Sequence, residues 1–282
     1  MEINFVKMHG TLNDFVVFHD LTGAVEVTPK QVAAICDRRG GIGADGLIAV
    51  RPSEKAQFFM DYINADGSLA EMCGNGIRCL AKYVFDNGLI ERTTLEVETR
   101  AGVKTLSLLT GTGALVERVQ VDMGPPIFDP REIPVNLESD GKPILDHPVE
   151  AQGKSFRASM LSMGNPHCVI VMEEDVEPLP KLFGPSIETH PIFPAKTNVE
   201  FIRVVNRNHL IMRVWERGSG ETFACGTGAC AAAVAANLKG FVDAECKVSL
   251  LGGDLDIDWK GPGHSVLMTG DARTVFQGTI DI

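Results

Sequence analysis

The sequence predicts an α+β protein of two similar, pseudo-symmetric domains, each a sheet wrapped around a central helix. Three observations carry this: an internal repeat, a prevalence of short alternating apolar and polar runs, and one helical segment too apolar to lie on a surface. The repeat is the firmest. Cys73-Gly74-Asn75-Gly76 and Cys225-Gly226-Thr227-Gly228 share the pattern C-G-x-G, and each run ends at a glycine fifteen residues past its cysteine, Gly88 and Gly240. Asn13 and Asn165 each stand 60 residues before their cysteine, Gly46 and Asn198 each twenty-seven, and Asn64 and Glu216 each nine. Equal spacing at so many positions indicates a duplicated unit.

Taken in order, Phe15 to Phe18, Leu47 to Val50, Cys168 to Val171 and Val199 to Val205 are short apolar strands. The segments LEVET, GALVERVQVDM, LIMRVWE, CKVSLL and LDIDW alternate as half-buried strands do. Val97 to Gly102 and Val248 to Gly253 repeat a strand-then-glycine spacing. Three segments read as helix: Lys30 to Arg39, behind the N-cap residue Thr28 and Pro29; Gly76 to Asn87; and Gly228 to Lys239. The last contains ACAAAVAANL, small and apolar on every side, which suits a helix enclosed by strands. Met123 to Pro134, with four prolines, reads as the crossover between halves, and Glu177 to Pro194 as a loop with one turn of helix at most. Val135 to Gln152 carries no clear signal.

A length of 282 residues suits about two domains. Twenty-six basic against 37 acidic residues give a net charge of −11, which excludes the electrostatic footprint of a nucleic-acid or anionic-membrane binder. No apolar stretch has membrane-helix length and no signal peptide opens the chain, so a cytoplasmic protein with reduced thiols is expected. The seven cysteines form no C-x-x-C pair, so no metal site is expected.

A cysteine at a helix N-terminus gains thiolate character from the unpaired amides and the helix dipole. Flanking glycines let a ligand carboxylate reach those amides. Two such cysteines in equivalent halves suit a nearly symmetric reaction: removal of a proton from one face of a carbon and return of one to the other, without a cofactor. Cys36, Cys79, Cys168, Cys230 and Cys246 lie in apolar or helical stretches and read as core filler, and Arg78 as structural or a surface charge rather than a ligand contact. Gly41-Ile42-Gly43-Ala44-Asp45-Gly46 matches G-x-G-x-x-G but follows a helix and leads into a strand, so it is not a dinucleotide fingerprint.

The segments MHGTLNDF (8–15), GIGADGL (41–47), NADGSLAEMCGNGIRC (64–79), SMGNPHCVI (162–170), TNVEF (197–201) and WERGSGETFACGTGACAAA (215–233) together resemble the diaminopimelate epimerase family. The resemblance implies a β-barrel-like sheet around each central helix, with the site in the cleft between two domains. It places those domains at 1–125 and 126–270, with the tail 271–282 returning to the first. It implies interconversion of LL- and meso-2,6-diaminopimelate for lysine and peptidoglycan precursors, by a homodimer free of pyridoxal phosphate and metal. Carried over by position, Cys73 and Cys225 are the acid/base pair, and His167 and Glu216 tune their protonation. Gly74, Asn75, Gly226 and Thr227 hold the reacting carboxylate; Asn13, Asn64, Asn165, Asn198, Glu216 and Arg217 hold the rest, with Arg217 on the distal carboxylate. Two departures stand out: Thr11-Leu12 replaces the glycine usual before the asparagine, and Gly46 replaces a glutamine of some members. A proline-type racemase, a Cys–His hydrolase using His167, and a non-catalytic amino-acid binder are the competing readings.

Overall fold

The computed structural model describes residues 2–138 and 141–281. The chain divides into two compact units, Met1–Asp122 with Thr269–Ile282, and Met123–Met268. In the first lie β1 (Glu2–Gly10), β2 (Asn13–His19), α1 (Pro29–Cys36), β3 (Gly46–Arg51), β4 (Phe58–Asn64), α2 (Gly74–Asp86), β5 (Thr94–Thr99), β6 (Gly102–Thr110) and β7 (Val116–Asp122). The second contains β8 (Ile144–Ala151), β9 (Lys154–Ser162), β10 (Pro166–Met172), α3 (Leu179–Glu188), β11 (Asn198–Asn206), β12 (His209–Glu216), the short β13 (Gly220–Glu221), α4 (Gly226–Leu238), β14 (Glu245–Leu250) and β15 (Gly253–Trp259). Strand β16 (Val266–Asp271) leads back to the first unit, where β17 (Arg273–Asp281) pairs antiparallel with β1.

Both units repeat one pairing plan. β2 runs parallel to β3, β3 antiparallel to β4, and β4 parallel to β5; β10, β11, β12 and β14 do the same. The register repeats too: Phe15 faces Gly46 and His167 faces Asn198, each pair displaced by the same offset (167 − 15 = 198 − 46 = 152). The sheet of the first unit curls around α2, which packs against β1, β2, β3, β4, β6 and β7; α4 packs against β9, β10, β11, β12, β14 and β15. The barrel-like sheet with a central helix is therefore present in each unit. α4 is buried from Ala229 through Ala236, and only residues this small let strands close around a helix on all sides.

The helices start where backbone donors find partners. Thr28 and Gln31 form a capping box on α1. α2 and α4 begin at Gly74 and Gly226, two residues before the expected starts, with Cys73 and Cys225 as extended N-cap residues. α1 ends at Cys36, short of Arg39, because Asp37 turns extended. The larger correction is α3, a ten-residue helix in the stretch expected to be a loop. Prolines near its start supply preset φ angles, and Leu179, Phe183 and Ile187 at intervals of four pack one face into the core around Phe156 and Phe201. The stretch without a clear signal yields β8, paired with β9.

The two sequence departures have structural causes. β1 and β2 are joined by Thr11-Leu12 alone, both at positive φ (48° and 62°), the turn geometry that suits strand twist. β9 and β10 are joined by three residues, and Gly164 (φ 94°) stands where the first unit has Leu12. Thr11 makes this tolerable: its hydroxyl donates to Asn75 Oδ1 (3.2 Å) and accepts from Arg78 (3.4 Å). Arg78 is fully buried and also donates to the carbonyls of Gly74 and Asp271, so its role is structural. At Gly46 a Cβ would stand 2.5 Å from the Tyr62 ring and 2.6 Å from the Ile63 carbonyl oxygen, so no side chain fits. Asn198 is admitted at the matching position, where Val214 replaces Tyr62. Gly46→Ala is expected to destabilise the protein by about 1–3 kcal/mol. An unchanged urea midpoint would show that the Tyr62 ring moves aside freely.

Candidate active site

Strand ends gather the candidate residues of each unit at one edge of its sheet. In the first unit β2 and β3 start together, at Asn13 and Gly46, where antiparallel β4 ends at Asn64. Cys73 then leads α2, its Sγ accepting from the Gly76 amide (3.4 Å). Asn13 Oδ1 lies 3.5 Å from Cys73 Sγ and accepts from Asn75 Nδ2 (3.3 Å), so Asn13, Cys73 and Asn75 form one cluster. Asn64 sits at the same edge, but its carboxamide donates to Ser68 Oγ (3.0 Å) in its own loop.

In the second unit Cys225 is buried at the start of α4, with Thr227 Oγ1 3.5 Å from its sulfur. Glu216 ends β12, accepts a very short hydrogen bond from Thr222, and interacts with Cys225. Asn198 Oδ1 accepts from the Arg217 amide (2.9 Å), while its Nδ2 donates to the Pro166 carbonyl (2.8 Å), which fixes the backbone of Arg217. Among the described residues the exposed Arg217 guanidinium reaches only the Ala195 carbonyl (3.3 Å). His167 and Glu200 are both fully buried, joined by Nδ1 and Oε1 at 2.7 Å, and His167 Nε2 meets Asn165 Oδ1 at 3.0 Å.

The thiolate expectation from the helix N-terminus does not hold for Cys225. Burial pushes its thiol well up, Glu216 and Glu200 add to the rise, and the neighbouring Thr227 hydroxyl and Gly228 amide lower it less. Glu216 is itself raised, first by burial, against the bonds from Thr222 and Cys225. Among the other cysteines, burial lifts Cys36 and Cys246 to about 11 and Cys79 and Cys168 further, consistent with inert core thiols. No cluster of three or more His, Cys, Asp or Glu side chains suited to a metal occurs among the described residues.

Two residues were missed from sequence: Glu200, which holds His167, and Asp45, which accepts from Asn13 Nδ2 (2.7 Å). Glu200 was detectable as a carboxylate inside a strand buried on both faces, Asn198 to Ile202. Asp45 carried no signal beyond the rejected glycine motif.

This fold recurs in solved structures of low sequence identity. A hydroxyproline epimerase from Agrobacterium vitis matches with a TM-score of 0.68 and 16% identity, over 99% of this chain and 91% of that one. A phenazine biosynthesis protein of the PhzF family from Bacillus anthracis matches with a TM-score of 0.67 and 17% identity over the full length of both. At such identity the likeness is one of fold. The family model for diaminopimelate epimerase matches residues 5–128 and 159–275. Diaminopimelate epimerases from Leptospira biflexa and Moorella thermoacetica are 46% and 50% identical, covering 100% and 98% of both chains in each comparison. The chain belongs to the diaminopimelate epimerase family and is an isomerase.

Because Cys73 is part-exposed and Cys225 is buried, iodoacetamide is expected to label Cys73 first, as peptide mass mapping would show. Labelling of Cys225 should still accelerate above pH 9, past the ordinary thiol range of about 8–9, and Glu216→Gln should hasten it at pH 8. Equal rates for the two cysteines would contradict these environments.

Proposed function

We propose that the protein interconverts LL- and meso-2,6-diaminopimelate by proton transfer between one α-carbon and the thiols of Cys73 and Cys225, without a cofactor. The observation that carries this reading is that each unit opens its enclosed central helix with a cysteine N-cap and glycine-flanked first-turn amides. One cysteine, as thiolate, takes the α-proton; the other, as thiol, delivers its proton to the opposite face. The sulfurs exchange protonation states and the configuration inverts. First-turn amides at Gly74 and Asn75, and at Gly226 and Thr227, stabilise the negative charge that develops on the reacting carboxylate. Arg217 takes the distal carboxylate, and Asn13, Asn64, Asn165, Asn198 and Glu216 hold the remaining polar groups. His167 and Glu216 set the protonation of the thiols.

Two rivals lose ground on particular observations. A Cys–His hydrolase needs His167 on a thiol, yet its two ring nitrogens are engaged by Glu200 and Asn165. A proline-type racemase shares the two-thiol logic, but a solved probable proline racemase is only 16% identical, against 46–50% for the diaminopimelate epimerases. We further propose a cytoplasmic homodimer. Seven free thiols suit a reducing compartment, and the exposure of Val275 and Phe276 on β17 supports an apolar partner surface.

Incubation with LL-diaminopimelate in deuterated water is expected to yield the meso form with one deuterium at the inverted α-carbon. Absence of both changes in folded, reduced protein would refute the reading. Cys73→Ser and Cys225→Ser should each lower turnover about 100-fold or more, and full activity in either would remove that cysteine from the reaction.

A further inference from the structure

We propose that Asp45 is a positioning residue that fixes the orientation of the Asn13 carboxamide and so decides which atom of Asn13 faces Cys73. The inference rests on the epimerase reading above and extends it to the glycine-rich loop Gly41 to Gly46, whose side chains that reading leaves without a role.

The argument follows from donor and acceptor types. A carboxamide can turn over with almost no change of shape, so its neighbours must settle its orientation. Asp45 Oδ2 lies 2.7 Å from Asn13 Nδ2. An ionised carboxylate only accepts hydrogen bonds, so the amide nitrogen is held toward Asp45 and Oδ1 is left toward Cys73 Sγ (3.5 Å) and Asn75 Nδ2 (3.3 Å). In this orientation Asn13 accepts from the thiol. Turned over, it would offer the sulfur an N–H, which suits a thiolate. Asp45 is itself fixed: Arg38 donates to Oδ1 (2.7 Å), the Asp14 amide donates to Oδ2 (3.2 Å), and the Asp45 amide donates to the Asp14 carbonyl (2.9 Å). Arg38 also holds Asp14, where Lys7 adds a bond of 2.6 Å. The backbone amide of Asp14 holds the Oδ2 that faces Asn13, while the exposed Arg38 bonds only the outer Oδ1, so the inner contact does not need the ion pair.

Two variants separate orientation from scaffolding. Asp45→Asn keeps the shape but can offer Asn13 either a donor or an acceptor, so the Asn13 carboxamide loses the short bond that holds its nitrogen and keeps only the longer one from Asn75 (3.3 Å). Arg38→Met breaks the outer ion pairs and leaves the Asp45 carboxylate in place. Asp45→Asn is expected to lower kcat about tenfold or more with KM changed less than threefold, and to alter the iodoacetamide labelling rate of Cys73 in the substrate-free protein. Arg38→Met should leave kcat and the Cys73 labelling rate within threefold of the parent, whatever it does to the melting temperature. Equal losses in both variants would make the network a scaffold and overturn the proposal, as would a parental kcat and labelling rate in Asp45→Asn. If the parent protein fails to exchange the α-proton of diaminopimelate, the epimerase reading falls; the labelling comparison still reports on Asn13.

Discussion

The start of a helix enclosed by strands is the constraint from which the rest of this structure follows. A helix begins with amide groups that have no acceptor inside it, and burial removes the water that would otherwise serve them. Here the sheet leaves one edge of each unit for the helix start, and Cys73 and Cys225 stand at the two N-caps. A thiol is a poor cap. Cys73 accepts the Gly76 amide only at 3.4 Å, and Cys225 makes no side-chain capping bond by that geometry. Serine or aspartate would cap these helices better. The stability forgone at each helix start, about 1 kcal/mol, leaves donors available for an anion and a sulfur beside them.

Duplication repeats the backbone but not the lining. Beneath Cys73, Phe15, Ile48 and Met60 surround Gly76, all apolar. The matching positions in the second unit for Phe15 and Ile48 are His167 and Glu200, and a Cβ on Gly228 would stand 2.8 Å from the Glu200 carboxylate. Glycine at 228 therefore gives the carboxylate room beside α4. Glu200 has one oxygen on His167 and the other without a partner, which is costly for a carboxylate at full burial. The first unit builds the same strands with Phe15 and Ile48 at these positions, so the shared plan does not itself require the pair.

Much of this architecture was legible because spacing survives where residue identity drifts. The offsets of Asn13, Asn64 and Cys73 from their counterparts reappear as equal strand registers, and strands that alternate or run apolar declare themselves through burial. α3 was hidden because its three prolines suggest a loop, while the helical evidence lay in the spacing of Leu179, Phe183 and Ile187. β8 was hidden because Pro148 and several exposed polar residues interrupt its alternation. The candidate site residues were drawn from positions that recur in both halves and, for His167 and Arg217, whose counterparts are Phe15 and Ala65, from the family resemblance. Asp45 and Glu200 have none: their counterparts are Thr197 and Ile48, so a reading by repetition passes over them. They are carboxylates whose roles depend on the atoms they meet across strands, and linear spacing does not encode that.

The contest over the Cys225 proton shows how magnitude decides between two sound arguments. A helix N-terminus favours a thiolate by about 0.3–2 kcal/mol. Full burial raises the proton affinity of an acidic group by up to about 3–5 pKa units, each worth about 1.4 kcal/mol, so burial prevails when both act. Glu216 and Glu200 add to it in the same direction. Burial and both carboxylates therefore act together to favour the protonated form of Cys225. In the proposed reaction the same helix N-terminus serves a carboxylate whose charge grows during proton removal, rather than a sulfur whose anion burial disfavours.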